Sequence, residues 1–283
     1  MPFRSNNTLR ASDSVDAPRQ IRPPGPIANT VRRAIRVVKW LALAVVILLL
    51  GPLLTLAFGD VPLRGDWRTA THRATGLAPD PSAHRDAIVQ VYASRTFGWR
   101  GAFAVHTWIA AKRAGADRYT RYEVIGWRMY AGRSGLSITD DGAPDAEWYG
   151  AAPKLVDDIR GARAESIIAR LPAAATTYRY ATTYSAWPGP NSNTFVAHVG
   201  REIPDLVLNL PPLAIGKDYR PLGEFIAPAP SGTGYQVSIG GILGVMLARV
   251  EGLEINLFGL VVGMDFRHPA LKFPGVGRIP SGV

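Results

Sequence analysis

The chain has 283 residues, a formal net charge of +10, a hydrophobic share of 47% and no cysteine. That length allows one sizeable folded domain with appendages. The missing cysteines exclude disulfides, zinc–thiolate sites, iron–sulfur clusters and a cysteine nucleophile. Residues 1–39 hold eight Lys or Arg and two Asp, so +6 of the charge lies there and +4 on the rest. No basic stripe interleaved with aromatic residues stands out, so nucleic acid is not expected as a partner.

The N-terminal segment predicts a disordered basic tail over residues 1–39. Residues 1–31 are polar, rich in Pro, Ser, Asn and Arg, and lack an apolar repeat that could build a core. The tail ends in a cluster of four basic residues, Arg32, Arg33, Arg36 and Lys39.

An uncharged apolar run over residues 40–58 predicts a transmembrane helix, because it is just long enough to cross a hydrocarbon core. The bilayer is therefore an expected partner through this segment. The basic flank precedes the run, so the N-terminus is expected in the cytoplasm and the main domain outside it, at the inner (plasma) membrane. Ala57-Phe58-Gly59 would also suit signal-peptide cleavage. Because the preceding polar segment is too long for an ordinary signal peptide, we favour an uncleaved anchor.

Residues 59–86 have the composition of a linker, and an extracytoplasmic α+β domain is expected over residues 87–283. Strands are predicted for 88–93, 102–111 and 119–129, with a hairpin turn at 112–118. A helix is predicted from Pro153 to Leu171, ended by Pro172, and a second one from about Asn193 to Glu202. The last third reads as short glycine-separated strands at 235–239, 244–248, 252–260 and 261–266. The apolar run around 257–264 predicts a hairpin rather than a second membrane span.

The most specialised stretch is Trp187-Pro188-Gly189-Pro190-Asn191-Ser192-Asn193-Thr194-Phe195. Its prolines and glycine predict a rigid turn, and Asn191 or Ser192 is a good helix N-cap. A hydroxyl at a helix N-terminus suits a nucleophile, since free backbone N–H groups stabilise developing negative charge. A purely structural cap predicts the same pattern.

His106 interrupts an apolar strand, so it needs a polar partner if it is buried. One interpretation is a satisfied core histidine. The other is a general base for Ser192, oriented by Glu123, with Asn191 and Asn193 as amide donors. We expect Trp108, Tyr184 and Trp187 to bind a ligand and His198 to be structural or at the surface. The cluster Lys217 to Arg220 predicts a surface turn, with a wall of the pocket beside residues 187–195 as the alternative. No metal or other cofactor is expected.

Three segments together resemble the circularly permuted papain-like families, which include lecithin–retinol acyltransferase-like proteins and permuted desumoylating isopeptidases. They are Val105-His106-Thr107-Trp108-Ile109, the pair Tyr122-Glu123, and Asn191 to Phe195. In those families a histidine strand precedes an Asn-Cys-Asn-x-Phe-type nucleophile helix. The resemblance implies a permuted papain-like domain with a C-terminal β-rich extension, in which Ser192 replaces the cysteine.

The Trp-Pro-Gly-Pro-Asn-Ser-Asn-Thr-Phe signature also resembles a bacterial family of unknown function. That resemblance extends through residues 214–219 and 269–272 and brings no activity with it. The sequence therefore leaves three functions open. The first is a membrane-anchored envelope protein that binds a peptide, cell-envelope or lipid ligand or acts as a scaffold. The second is a serine-dependent amide, peptide or ester hydrolase or acyltransferase, and the third is a purely structural protein.

Overall fold

A computed structural model describes residues 26–59, 61, 63, 68 and 70–280. The expected tail up to residue 25 and part of the expected linker lie outside these residues. The described chain combines an N-terminal apolar helix, a mixed helix-and-sheet region and a β-rich C-terminal region.

Helix α1 spans Pro26–Phe58, so residues 26–39 are helical, and the disorder expected for them is wrong. Proline is tolerated in the first turn, and no glycine or further proline interrupts the chain before Gly51. The stretch Asn29–Phe58 is long and apolar enough to cross a membrane, and 11% of its most apolar window is buried. A signal sequence would have the same length and composition. The chain divides into two compact units inside α1, between Ala44 and Val45.

The first sheet has five antiparallel strands in the order β4-β3-β2-β1-β5. The strands are β1 (Ile88–Arg95), β2 (Val105–Lys112), β3 (Thr120–Val124), β4 (Leu136–Thr139) and β5 (Lys154–Arg160). The predicted hairpin between β2 and β3 is confirmed. The third strand is shorter than predicted, because the chain turns into a 3-10 helix at Gly126–Ala131.

The helix predicted from Pro153 is wrong in its first half. Residues 154–160 form β5, because they pair with β1 at the sheet edge and this pairing overrides the helical spacing of the apolar residues. Helix α2 follows at Gly161–Thr176 and continues past Pro172. Two buried alanines after the proline, Ala174 and Ala175, pack into the core and hold the last turn.

Helices α2 and α3 (Ser192–Glu202) cover one face of this sheet. The main core lies between these helices and the sheet and includes Val91, Ile109, Ile167, Leu171, Phe195 and Val199. A smaller cluster with Tyr92, Trp108 and Tyr119 lies on the opposite face. Neighbouring residues of β2 therefore point into different cores.

The second sheet is a seven-stranded antiparallel meander with the order β12-β11-β10-β9-β8-β7-β6. Its strands are β6 (Ile226–Pro228), β7 (Gly234–Ile239), β8 (Leu243–Ala248), β9 (Gly252–Leu257), β10 (Leu260–Asp265), β11 (Ala270–Phe273) and β12 (Gly277–Ile279). The hairpin predicted around residues 257–264 is confirmed as β9–β10. The surface turn predicted at 217–220 is wrong for Lys217 and Asp218, which are buried beneath this sheet.

Candidate functional site

His106 and Glu123 lie together on neighbouring strands, as the sequence led us to expect. The His106 Nε2 atom is 2.8 Å from Glu123 Oε2, and both residues are buried. Arg121 lies two residues before Glu123 on the same face of β3. Its Nη2 donates a 3.0 Å hydrogen bond to Glu123 Oε2, and its Nε is 2.8 Å from Oε1. The carboxylate thus joins the imidazole to a guanidinium.

The charges in this cluster follow from its burial and its partners. Burial lowers the pKa of His106, and the hydrogen bond to Glu123 offsets this only in part. Burial alone would raise the pKa of Glu123, but the His106 hydrogen bond and the Arg121 charge outweigh it, so that pKa is lowered. A neutral imidazole therefore donates its Nε2–H to an ionised carboxylate at neutral pH.

Aromatic rings connect this charged group to the protein surface. The Trp148 ring stacks on His106 with centroids 3.5 Å apart and planes at 5°, and Arg121 lies 4.2 Å above the Trp108 ring. Trp127, 5.3 Å from Trp148, is 45% exposed. Tyr149 is in edge contact with both Trp127 and Trp148. We call Trp108, Trp127, Trp148 and Tyr149 the aromatic cluster.

A tight turn holds Trp148 over the imidazole. Trp148 and Ala151 pair across it, and Tyr149 and Gly150 between them have φ values of 51° and 81°. Two consecutive positive φ values are typical of a two-residue hairpin turn. The Trp148 ring therefore sits on a rigid support.

Helix α3 begins with a capping box, and its N-cap is Asn191. Asn191 Oδ1 accepts hydrogen bonds from the backbone N–H groups of Asn193 at 2.9 Å and Thr194 at 3.2 Å. The Asn191 N–H donates back to Thr194 Oγ1 at 3.1 Å. The predicted cap is confirmed, and Ser192 is the first residue of the helix. The Asn191 side chain therefore occupies two of the backbone N–H groups with which the start of α3 could otherwise bind an anion.

The two asparagine amides bind backbone rather than an open cleft. Asn193 Nδ2 donates to Val105 O at 3.0 Å and to Ile215 O at 2.8 Å. Asn191 Nδ2 also donates to Ile215 O, at 3.0 Å. These bonds fix the start of α3 against β2 and the segment before Lys217.

The expectation that His106 faces Ser192 is wrong. His106 points to the face of β2 that carries Trp108, whereas Thr107 points to the face covered by α3 and bonds to Asn193. Successive strand residues alternate between faces, so His106 and the start of α3 lie on opposite sides of the sheet. Ser192 is 2% exposed, and its hydroxyl has no hydrogen-bond partner among the described residues.

The three residues predicted to bind a ligand occupy different surroundings. Trp108 is buried beside His106 and donates from Nε1 to Pro144 O at 2.7 Å. Trp187 is 49% exposed and donates to Phe258 O in the β9–β10 turn at 3.0 Å. Tyr184 is partly exposed, with its ring close against Gly126 at the start of the 3-10 helix. Only Trp108 belongs to the His106 cluster.

Sequence reasoning missed Arg121, Trp148 and Ser94 at this site. Arg121 could have been found from the period of two that puts it on the face of Glu123. Ser94 is the β1 partner of His106 and donates to Ala151 O at 2.8 Å, but only strand register reveals it. Trp148 carries no sequence signal linking it to His106. No group of three or more potential metal ligands occurs among the residues that the structure describes.

A family model described as "Protein of unknown function (DUF3750)" matches residues 86–219. The match covers the five-stranded sheet, both of its helices and the capping box. No curated protein and no solved structure matches the chain. The expected similarity to a family of unknown function is therefore present, while none of these matches supports the papain-like resemblance.

Proposed function

We propose that the chain is a membrane-anchored protein whose extracytoplasmic domain binds a ligand or acts as a scaffold. The observation that supports the anchor is the exposed apolar surface of helix α1. Its apolar side chains are exposed along the second half of the helix, including Val45, Val46, Ile47, Leu50, Leu53 and Leu54. A core helix of a soluble protein would bury such a surface. We place α1 as a single uncleaved span of the inner (plasma) membrane.

The orientation follows from the charges next to the span. Arg32, Arg33, Arg36 and Lys39 precede its apolar part, which favours a cytoplasmic N-terminus. The domain over residues 87–283 is then extracytoplasmic. A membrane-impermeant maleimide tests this in intact cells, because the chain has no native cysteine. Asp140→Cys is expected to react from outside, and Ser14→Cys only after the cells are opened.

Anchoring itself is tested with the full-length chain carrying an N-terminal epitope tag. We expect the tagged protein to stay in membranes washed with alkaline carbonate. Val46→Arg, which places a charge in the apolar run, is expected to release a large part of it, whereas the matched Val46→Leu is not. Release of the unchanged protein, or loss of the tag from it, would overturn the anchor.

The binding role rests on the state of the polar residues in the folded domain. The amides of Asn191 and Asn193 are taken up by backbone carbonyls, which suits a rigid support better than a reaction centre. The partly exposed Trp127 ring, next to Trp148 and Tyr149, offers a stacking surface for a peptide, cell-envelope or lipid ligand. Tyr184 and Trp187 are further exposed aromatic candidates.

A serine hydrolase or acyltransferase is the second candidate, and the His106–Glu123 pair favours it. An imidazole held by a carboxylate is the base of many serine enzymes. Ser94, opposite His106 in the strand register, is the nearer hydroxyl in the sheet, while Ser192 is the one that the sequence indicates. Chain order still favours the permuted papain-like interpretation, because the histidine strand precedes the serine helix. The direction of the His106 side chain does not favour it.

A fluorophosphonate probe separates the two candidates. A binding or scaffold protein is expected to show no covalent labelling across the pH range in which it stays folded. Labelling that disappears in Ser94→Ala or in Ser192→Ala, but not in the exposed control Ser134→Ala, would establish a reactive serine and replace the binding proposal.

A further inference from the structure

The seven-stranded sheet buries polar side chains and exposes apolar ones, which is the reverse of an ordinary surface sheet. Its inward positions include Gln236, Ser238, Glu254, Asn256 and Lys272, which are all buried. Its outward positions are apolar, and we call them the outer sheet face: Tyr235, Val237, Val245, Leu247, Ile255 and Leu271 are exposed by 37–69%. An antiparallel sheet with one side in water normally shows the opposite pattern.

The apolar side chains of this face are continuous across the strands. Val237, Val245 and Ile255 are direct neighbours in register, and Val262 extends the row on β10. No outward position of β7–β11 carries a charged residue. A soluble protein rarely exposes so extended an apolar patch unless something covers it.

Ion pairs and hydrogen bonds on the buried side hold the strands in this register. Lys217 Nζ lies 2.6 Å from Glu254 Oε2, and Lys272 Nζ lies 2.5 Å from Glu254 Oε1. Asn256 Nδ2 donates to Asp218 Oδ2 at 2.8 Å. These paired groups fix the inward side, because a one-residue slip would expose them and bury the apolar row.

The position of α1 identifies what covers the outer sheet face. Thr55 Oγ1 donates to Gly275 O, in the β11–β12 turn, at 3.1 Å, and Gly51 and Pro52 pack closely against Pro274 and Gly275. The turn thus meets α1 inside the apolar stretch Asn29–Phe58, not beyond its end. At 1.5 Å per residue, Gly51 lies about 10 Å along the axis from Phe58. A bilayer crossed by α1 therefore reaches the sheet.

The charges around the sheet are consistent with this depth. The exposed Arg249 and Arg267 lie in the β8–β9 and β10–β11 connections, at the end of the sheet opposite the β11–β12 turn. The connections at the end that meets α1 hold no charged residue and expose Phe258 and Val276, although one ring, Phe266, is also exposed at the basic end. Basic residues suit the phosphate level of a membrane, and apolar ones the acyl chains.

We propose that the outer sheet face is a lipid-binding surface that inserts into the leaflet from which the C-terminal end of α1 emerges. The inference rests on the proposed anchor, since α1 supplies the depth. The sheet would then hold the folded domain at the bilayer instead of leaving it on a free tether. The backbone groups within the sheet are already paired, so its interior strands can enter a low-polarity layer.

Brominated acyl chains test the proposal on the full-length protein, reconstituted in phosphatidylcholine–phosphatidylglycerol vesicles. A single environment-sensitive fluorophore is attached at Val245→Cys, with Leu247→Cys as a second position on the same face. Val46→Cys reports the anchor, and Asp140→Cys, an exposed residue after β4, is the control. We expect bromine to quench most of the emission at residues 245, 247 and 46 and little at 140.

Each alternative result has a distinct reading. Quenching at 46 combined with iodide access at 245 and 247 would overturn the lipid surface and leave the anchor intact. Bromine without effect at 46 as well would overturn both proposals. Protection at 245 and 247 from bromine and iodide, with self-quenching that grows with protein concentration, would show a second copy on this face and would also overturn the inference.

Discussion

The Thr107 hydroxyl donates a 2.9 Å hydrogen bond to Asn193 Oδ1 and so joins the middle of β2 to the first turn of α3. Both side chains are buried. Asn193 uses its Nδ2 for the carbonyls of Val105 and Ile215, so one amide ties together a strand, a helix and a loop. The contact that the sequence assigned to His106 and Ser192 is made by their sequence neighbours.

Asn193→Ala is expected to be among the most damaging single changes in the first sheet. It leaves the Thr107 hydroxyl and the Val105 carbonyl without their partner inside the protein, which should cost about 2–4 kcal/mol of the free energy of unfolding. Thr107→Val removes one hydrogen bond at nearly constant volume and should cost about 1 kcal/mol. Urea unfolding in detergent, followed by tryptophan fluorescence, measures both.

Ser192→Ala is the matched control, because its hydroxyl has no partner among the described residues. We expect a change within about 0.5 kcal/mol. A loss at Ser192→Ala as large as that at Asn193→Ala would show that the serine, and not the amide, holds this junction.

The parts that sequence reasoning predicted are those with a local cause. The cap at Asn191, the β2–β3 hairpin and the glycine-separated strands of the last third depend on residues close in sequence. Strand β5 was missed because its pairing with β1 is a tertiary effect. Whether His106 faces α3 depends on which side of the sheet the helix covers, and no pattern of neighbouring residues predicts that side. The buried group around Glu254 joins positions 217, 254 and 272, which no spacing rule connects.

Glu254 is expected to be indispensable because it lies between two buried ammonium groups. Burial alone would raise the pKa of Glu254, but the charges of Lys217 and Lys272 outweigh burial and lower it. Glu254→Gln should therefore cost about 3–5 kcal/mol of unfolding free energy, since two lysine charges lose their counter-charge in a dry site. Thermal and urea unfolding of the full-length protein measure this loss.

Replacing the whole group separates the charge effect from packing. The triple change Lys217→Met, Glu254→Leu, Lys272→Met removes all three charges together and should recover most of the loss seen for Glu254→Gln. A triple variant less stable than the single one would show that the network does more than neutralise Glu254, and that the hydrogen bonds from Lys217 to Leu210 O and from Lys272 to Glu251 O are indispensable.

His106 gives the fold a pH dependence whose sign is fixed by burial. Its pKa in the folded protein lies below the ordinary value of 6.5, so the unfolded chain binds more protons in this range. The stabilisation is complete above pH 6.5 and is lost as the pH falls through the folded pKa. The loss can reach at most about 1.4 kcal/mol per pH unit for one proton. Glu123 does not add to it above pH 4.5, because its own pKa is lowered from that value.

His106→Gln isolates this contribution, since glutamine can still donate a hydrogen bond to Glu123 but does not titrate. The free energy of unfolding is measured for both proteins between pH 7.5 and 5. We expect that of the unchanged protein to fall more steeply than that of the variant below pH 6.5, because only the histidine must take up a proton against burial and the Arg121 charge. His198, which is only partly buried, also has a pKa lowered by desolvation, but it is present in both proteins and cancels in the difference. Parallel curves would mean that the imidazole takes up its proton as readily in the folded protein as in water, which is incompatible with a closed stack beneath Trp148.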